Sequence, residues 1–223
     1  MKKFFIVIAC AVLSLSASAQ RASSSSSSFF STEKVDGGVQ FGIRAGVNFA
    51  NATFKEDDFS YSPDSRTAFH VGVIADIPLM QSLYVQTGLF FQEKGWKIEE
   101  SGDEYAYKET YKPMYLQIPI LASYRYNFSD ALQLQVNAGP YFAYGIGGKV
   151  KWEEDEESGE GDFFGDDSDF KRFDCGLQIG AGLTFAKHYY LGVAYEFGFS
   201  NIVDDSDMKV KNKNLMISVG YNF

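Results

Sequence analysis

The chain has 223 residues, 29 Asp and Glu against 20 Lys and Arg, a formal charge of −9 and 17% aromatic side chains. Once a leader is removed, about 200 residues remain, which suits a single domain. The acidic balance argues against nucleic acid as a partner, and no later stretch approaches 18 consecutive apolar residues, which excludes a membrane-spanning helix but not a closed barrel.

The opening residues read as a cleavable signal peptide over 1–19. Lys2 and Lys3 precede an apolar run over 4–15, and Ala17-Ser18-Ala19 offers the small-x-small cleavage site before Gln20. The run is too short to span a bilayer. Cys10 loosely imitates a lipidation site, but the apolar run before it is very short and Ala17-Ser18-Ala19 would then go unused. After cleavage Cys175 stands alone, so no internal disulfide is expected. Residues 20–36, with six serines over 23–28, read as a flexible low-complexity segment. The domain proper is expected over 37–223.

From 39 onward the chain alternates with a period of two. Strands are predicted over 39–49, 67–77, 82–96, 112–127, 131–146, 171–186, 189–200 and 215–223. The pattern is clearest near the end. Tyr189, Leu191, Val193, Tyr195 and Phe197 alternate with Gly192, Ala194 and Glu196, and Leu215, Ile217, Val219, Tyr221 and Phe223 alternate with Met216, Ser218 and Gly220. Connections alternate too. Those at 78–81, 127–130 and 187–188 are short, whereas 50–66, 97–111, 147–170 and 201–212 are long and polar. This predicts an all-β fold, an eight-stranded antiparallel up-and-down transmembrane β-barrel with short periplasmic turns and long extracellular loops.

A soluble ligand-binding barrel would turn its apolar face inward; a membrane barrel turns it outward. The polar face here is rich in Gly, Ala, Ser, Gln and Asn, which suits a crowded lumen. The apolar face carries almost no charge, and aromatics mark both strand ends, as interfacial girdles require. The expected location is therefore the outer membrane of a Gram-negative cell, integral, with both mature termini periplasmic.

Several segments carry a family resemblance: Ala17-Ser18-Ala19-Gln20, Phe41-Gly42-Ile43-Arg44-Ala45-Gly46-Val47-Asn48, Tyr115-Leu116-Gln117-Ile118-Pro119-Ile120, Phe173-Asp174-Cys175-Gly176-Leu177-Gln178-Ile179-Gly180-Ala181-Gly182-Leu183, and Phe223. Together they resemble the PorT-like outer-membrane β-barrels, the small "porin family" barrels of Bacteroides-type bacteria. The resemblance covers nearly all of the mature chain. It implies an outer-membrane barrel whose Phe223 is read by the barrel-insertion machinery. Its motifs are scaffold motifs and carry over no catalytic residue.

The charges on the predicted lumen face are Arg44, His70, Asp76, Lys94, Arg125, Asp174 and Glu196. A salt-bridge network filling a narrow lumen is expected of them, with Arg44, Arg125 and Glu196 at its centre and Asp174 and His70 as further members. The alternatives are a narrow pore for small solutes or ions and a lipid-active enzyme using His70, with Asp174 at similar height. No hydrolase motif accompanies His70, so no catalytic, cofactor-binding or metal-ligating residue is expected. Pro119 and Pro140 fall almost opposite one another and predict a bulge or kink. The acidic loop 147–170 lacks the spacing of a Ca²⁺ loop over 162–169 and reads as solvated. Its aromatics, Trp152, Phe163, Phe164 and Phe170, allow a protein or glycan contact or packing of the loop on itself. Outer-membrane lipid or lipopolysaccharide is the remaining expected partner.

Overall fold

The computed structural model describes residues 38–56, 59–101, 106–154, 157–165, 168–204 and 208–223. The expected signal peptide and nearly all of the Ser-rich segment lie outside them. Eleven strands form among the described residues: β1 (Gln40–Glu56), β2 (Phe59–Tyr61), β3 (Asp64–Pro78), β4 (Leu83–Glu93), β5 (Trp96–Ser101), β6 (Ala106–Ser129), β7 (Leu132–Glu154), β8 (Glu157–Asp162), β9 (Phe173–Phe185), β10 (Tyr189–Gly198) and β11 (Met208–Asn222).

All pairings are antiparallel. β1 pairs β3, β3 pairs β4, β4 pairs β6, β6 pairs β7, β7 pairs β9, β9 pairs β10 and β10 pairs β11. β11 returns to β1, from Gly42↔Asn222 to Glu56↔Met208. The pairing therefore closes on itself, and these strands leave no free edge within the ring. β2, β5 and β8 lie outside the cycle as hairpin additions at its long-loop end.

The strands run further than hydrophobicity suggested. The expected loops 50–66, 97–111, 147–170 and 201–212 are in large part strand, because β1, β6, β7 and β11 continue into them. A backbone ladder needs no apolar side chains. Polar stretches keep pairing where charges match across the ladder, as Lys149 and Lys151 do with Asp162 and Glu160 on β8.

Side-chain orientation follows the alternation. Phe41, Ile43, Val47, Val71, Val73, Leu89, Ile118, Val136, Ile179, Leu191, Val193, Ile217 and Val219 are exposed on the outer face. Arg44, Asn48, His70, Asp76, Gln86, Gln117, Asn137, Asp174 and Glu196 are buried inside. An exposed apolar belt around a buried polar interior inverts the pattern of a soluble barrel.

Of the bulge or kink expected at the two prolines, the bulge is absent. Pro119 pairs with Tyr141, next to Pro140, and the ladder skips the neighbouring positions without changing register. Each proline lacks an N–H, so a hydrogen bond is lost, not a residue gained. The Pro119 carbonyl instead accepts from Thr87 Oγ1 at 2.8 Å. The register shifts between Met114 and Tyr115, where Ile146 is the extra residue on β7. That bulge reverses the facing of β7 beyond it. Val150 then packs inward, whereas Lys149 and Lys151 are exposed.

Depth in the belt should set the cost of a charge there. Val193→Arg, in the middle of β10, is expected to destabilise the folded protein by about 2–4 kcal/mol, and Leu79→Arg, in the short β3–β4 turn, by about 0–1 kcal/mol. Urea unfolding in lipid vesicles measures both; equal losses would contradict an outward-facing membrane belt.

Candidate functional site: a charged polar lumen

The lumen charges form two layers, set by how far each residue lies from the short turns. Arg125 is near the Ser129 end of β6, Arg44 near the Gln40 end of β1 and Asp76 near the Pro78 end of β3. All three belong to the short-turn side. Arg125 Nη2 lies 2.5 Å from Asp76 Oδ2, and Gln86 Nε2 donates to Asp76 Oδ1 at 2.8 Å. Arg44 Nη2 donates to Asn222 Oδ1 at 2.7 Å. The two guanidinium groups stack on aromatic faces, Arg44 over Tyr190 at 4.0 Å and Arg125 over Tyr84 at 4.2 Å.

The second layer lies towards the long loops and is built around Lys94. This residue follows β4, and Gly95 turns the chain after it with φ +119°, where a side chain would strike the Tyr111 carbonyl. Lys94 Nζ lies 3.1 Å from Asp174 Oδ2 and 3.4 Å from Glu196 Oε2, with all three side chains buried. It also sits 4.2 Å from the centre of the Tyr141 ring. The carboxylates take further donors. Glu196 accepts from Gln92 at 2.8 Å, from Asn214 at 3.2 Å and from Gln117. Asp174 accepts from Ser200 at 2.7 Å and Asn212 at 3.0 Å. Buried charges persist only when paired and hydrogen-bonded in this way.

The expected centre of Arg44, Arg125 and Glu196 is therefore corrected. The two arginines share the lower layer with Asp76, and Glu196 belongs with Lys94 and Asp174. Parity shows that these side chains face inward, but height depends on strand tilt and stagger. Gln92 and Gln117 also sit at inward positions that parity could have shown. Asn212, Asn214 and Arg66 were missed because their stretches looked like loop. Arg66 bonds the Lys94 carbonyl at 3.0 Å and pairs with Glu93 at 2.7 Å.

His70 lies between the layers but not beside Asp174. Its Nδ1 is 2.7 Å from Asn48 Oδ1 and its Nε2 is 2.9 Å from Ser218 Oγ. Asn48 Nδ2 donates to the carbonyls of Phe69 and Glu93, so its oxygen faces the ring and Nδ1 carries the proton. Ser218 then donates to Nε2. The order resembles a hydrolase relay. However, His70 is buried, and the void that Ser218 borders has about 40 Å³, room for water but not for an acyl chain.

The long-loop end is closed by an apolar cap. Trp96 and Phe163 are fully buried, together with Ala52, Ile202 and Val210. Trp96 stacks on Tyr111 at 4.6 Å and Phe163 on Phe170 at 4.2 Å. Phe164 meets Tyr115 edge-on at 5.7 Å, in space left by Gly145, where an added Cβ would overlap the Phe164 ring. Arg172 ties the segment down by donating to the Phe164 carbonyl at 2.7 Å and the Gly145 carbonyl at 3.0 Å. Phe163 and Phe164 are thus unavailable to an outside protein or glycan. Among the described residues no group of three His, Cys, Asp or Glu is placed to hold a metal ion; Asp166 and Asp167 of the acidic loop lie outside them. At the short-turn end a polar cavity of about 300 Å³ stays open, lined by Gln40, Tyr84, Arg125, Gln133, Lys187 and Asn222 among others.

An antiparallel sheet closed on itself, apolar outside and charged within, defines a membrane β-barrel. The sequence agrees: residues 18–204 match the model of the outer membrane protein beta-barrel domain, and the chain belongs to that family of the outer membrane. No curated protein matches it at comparable stringency. Solved structures similar to it include Ail, the attachment invasion locus protein of Yersinia pestis (19% identity, 83% of this chain and 99% of that one, TM-score 0.38). Others are OprG from Pseudomonas aeruginosa (13%, 82% and 95%, TM-score 0.41) and the outer membrane enzyme PagL (16%, 79% and 98%, TM-score 0.43).

Removing the central cation should be costly. Lys94→Met leaves Asp174 and Glu196 facing each other uncompensated and is expected to cost about 3–5 kcal/mol. Adding Asp174→Asn and Glu196→Gln should restore most of it. Denaturant unfolding of the single and triple variants checks this; an unaffected single variant would contradict the network.

Proposed function

We propose that the protein is a closed structural and interaction barrel of the outer membrane, with eight strands in its wall, short turns and both mature termini in the periplasm, and long hairpins outside. The observation that carries the reading is the double seal. The Lys94–Asp174–Glu196 layer fills the lumen within the belt, and the Trp96–Phe163 cap covers its long-loop end. An eight-stranded interior is just wide enough to be filled by side chains. The PorT-like resemblance of the scaffold segments supports the same reading, since it brings no catalytic residue.

The activity is display. The β7–β8 hairpin raises Glu153, Glu154, Glu157, Glu160 and Asp162 into solvent on a base that the buried cap holds fixed. A partner at the cell surface would meet these carboxylates, since the cap aromatics face inward. A lipid-active enzyme is disfavoured by the enclosure of His70 and Ser218. A pore is favoured by one feature alone, the open cavity at the short-turn end, which Arg125 lines.

Purified protein in planar bilayers should show no discrete conductance steps. Weakening the cap alone, by Phe163→Ala, should leave it silent, because the ionic layer still blocks the path. Steady single-channel conductance from the unmodified protein would overturn the sealed reading in favour of a pore.

A further inference from the structure

The outward face of β11 changes chemistry at the top of the belt. Val219, Ile217 and Leu215 face out, and the next outward positions are Lys213, Lys211 and Lys209. The residues between them, Asn214, Asn212 and Val210, are buried. Lys213 pairs with Phe197 in the aromatic upper edge of the belt, Lys211 with Thr53, and Lys209 stands directly opposite Lys55 on β1. Like charges directly opposite in a ladder destabilise it.

Elsewhere on this rim three lysines have close acidic partners. Lys149 meets Asp162 at 3.2 Å, Lys151 meets Glu160 at 3.6 Å and Lys171 meets Asp204 at 3.0 Å. Among the described residues no carboxylate lies within 4.0 Å of Lys55, Lys209, Lys211 or Lys213, and Lys213 reaches Ser62 Oγ at 3.4 Å. The cationic row is thus continuous with the lipid-facing surface and without an ion pair among the described residues.

We propose that Lys55, Lys209, Lys211 and Lys213 form a binding site for the phosphate groups of an outer-leaflet glycolipid. Successive lysines on one strand face are about 6.6–6.8 Å apart along the strand, so the row climbs from the hydrocarbon edge through the headgroup layer. Long lysine stems lie against apolar surface while their ammonium groups reach the polar layer, and phosphates there would relieve the Lys55–Lys209 repulsion. The lipid's acyl chains would lie on Leu215, Ile217 and Val219 below. The site rests on the long hairpins facing outward, as proposed above.

The test uses full-length protein folded in micelles and titrated with diphosphoryl lipid A, bound lipid being counted by native mass spectrometry. Lipid A stripped of both phosphates is the control. The unmodified protein should retain the diphosphoryl form and not the stripped one. Joint Lys209→Gln, Lys211→Gln and Lys213→Gln should weaken retention about a hundredfold, at the usual strength of basic residues beside a membrane. The corresponding triple Lys→Arg protein should retain it. Heat-shifted gel mobility verifies folding of each variant; if the Gln variant does not fold, loss of retention by the unmodified protein on raising salt supports the site and salt-insensitive retention overturns it. Equal retention by the folded Gln variant, equal binding of the stripped lipid, or displacement by equimolar inorganic tripolyphosphate would overturn the proposal. Protease accessibility on intact cells tests the orientation separately: hairpins shielded from protease would refute the outward orientation and with it the outer-leaflet assignment, whereas lipid A retention tests the lysine row itself.

Discussion

The β1–β11 ladder is the contact on which the rest of this structure depends. Without it the sheet would present two unpaired edges to hydrocarbon, where no water can satisfy them. With it, the two faces of every strand become an inside and an outside. Closure commits the alternating polar residues to one narrow space, whose crowding explains their chemistry. Glycine, alanine and serine occupy positions where the walls approach, and each charge must find a partner among the few groups that reach it.

Those partners are arranged as complementary halves. In the lower layer Arg44 and Arg125 face one carboxylate, Asp76; in the upper layer Lys94 faces two, Asp174 and Glu196. Each layer therefore holds one formal charge of opposite sign beyond its internal pairs, and the two layers offset one another along the lumen. The cations are further shielded by aromatic faces, Tyr190, Tyr84 and Tyr141. A single neutral substitution disturbs more than its own pair, since it changes the balance between layers.

The sequence makes orientation legible because a period of two is a local property. Leu191 and Gly192 can be assigned to opposite faces with no knowledge of their neighbours. Partnership is not local. Glu196 and Arg125 both point inward, yet stagger places them in different layers, and no feature of either residue reveals it. The cap was hidden for another reason. Phe163 and Phe164 sit within an acidic run whose composition reads as solvated, and their burial depends on Trp96, Tyr111 and Tyr115 arriving from other strands. The long hairpins were underestimated because hydrophobicity reports where a strand meets lipid, and pairing continues past that limit.

The two seals differ in kind because their surroundings differ. Above the belt the hairpins stand in water, so burying Trp96, Phe163 and Ile202 gains from the hydrophobic effect as in a soluble core. Within the belt the wall already faces lipid, and inward residues are the polar half of each strand, so filling the space falls to ion pairs and amides. The apolar cap thus does for the long hairpins what the bilayer does for the wall, holding them in one arrangement. Swinging the Phe163–Phe164 segment outward would expose those rings to water and break the Arg172 hydrogen bonds to the Phe164 and Gly145 carbonyls. Rigid support of this sort suits a surface that presents fixed charges more than one that opens to pass a solute.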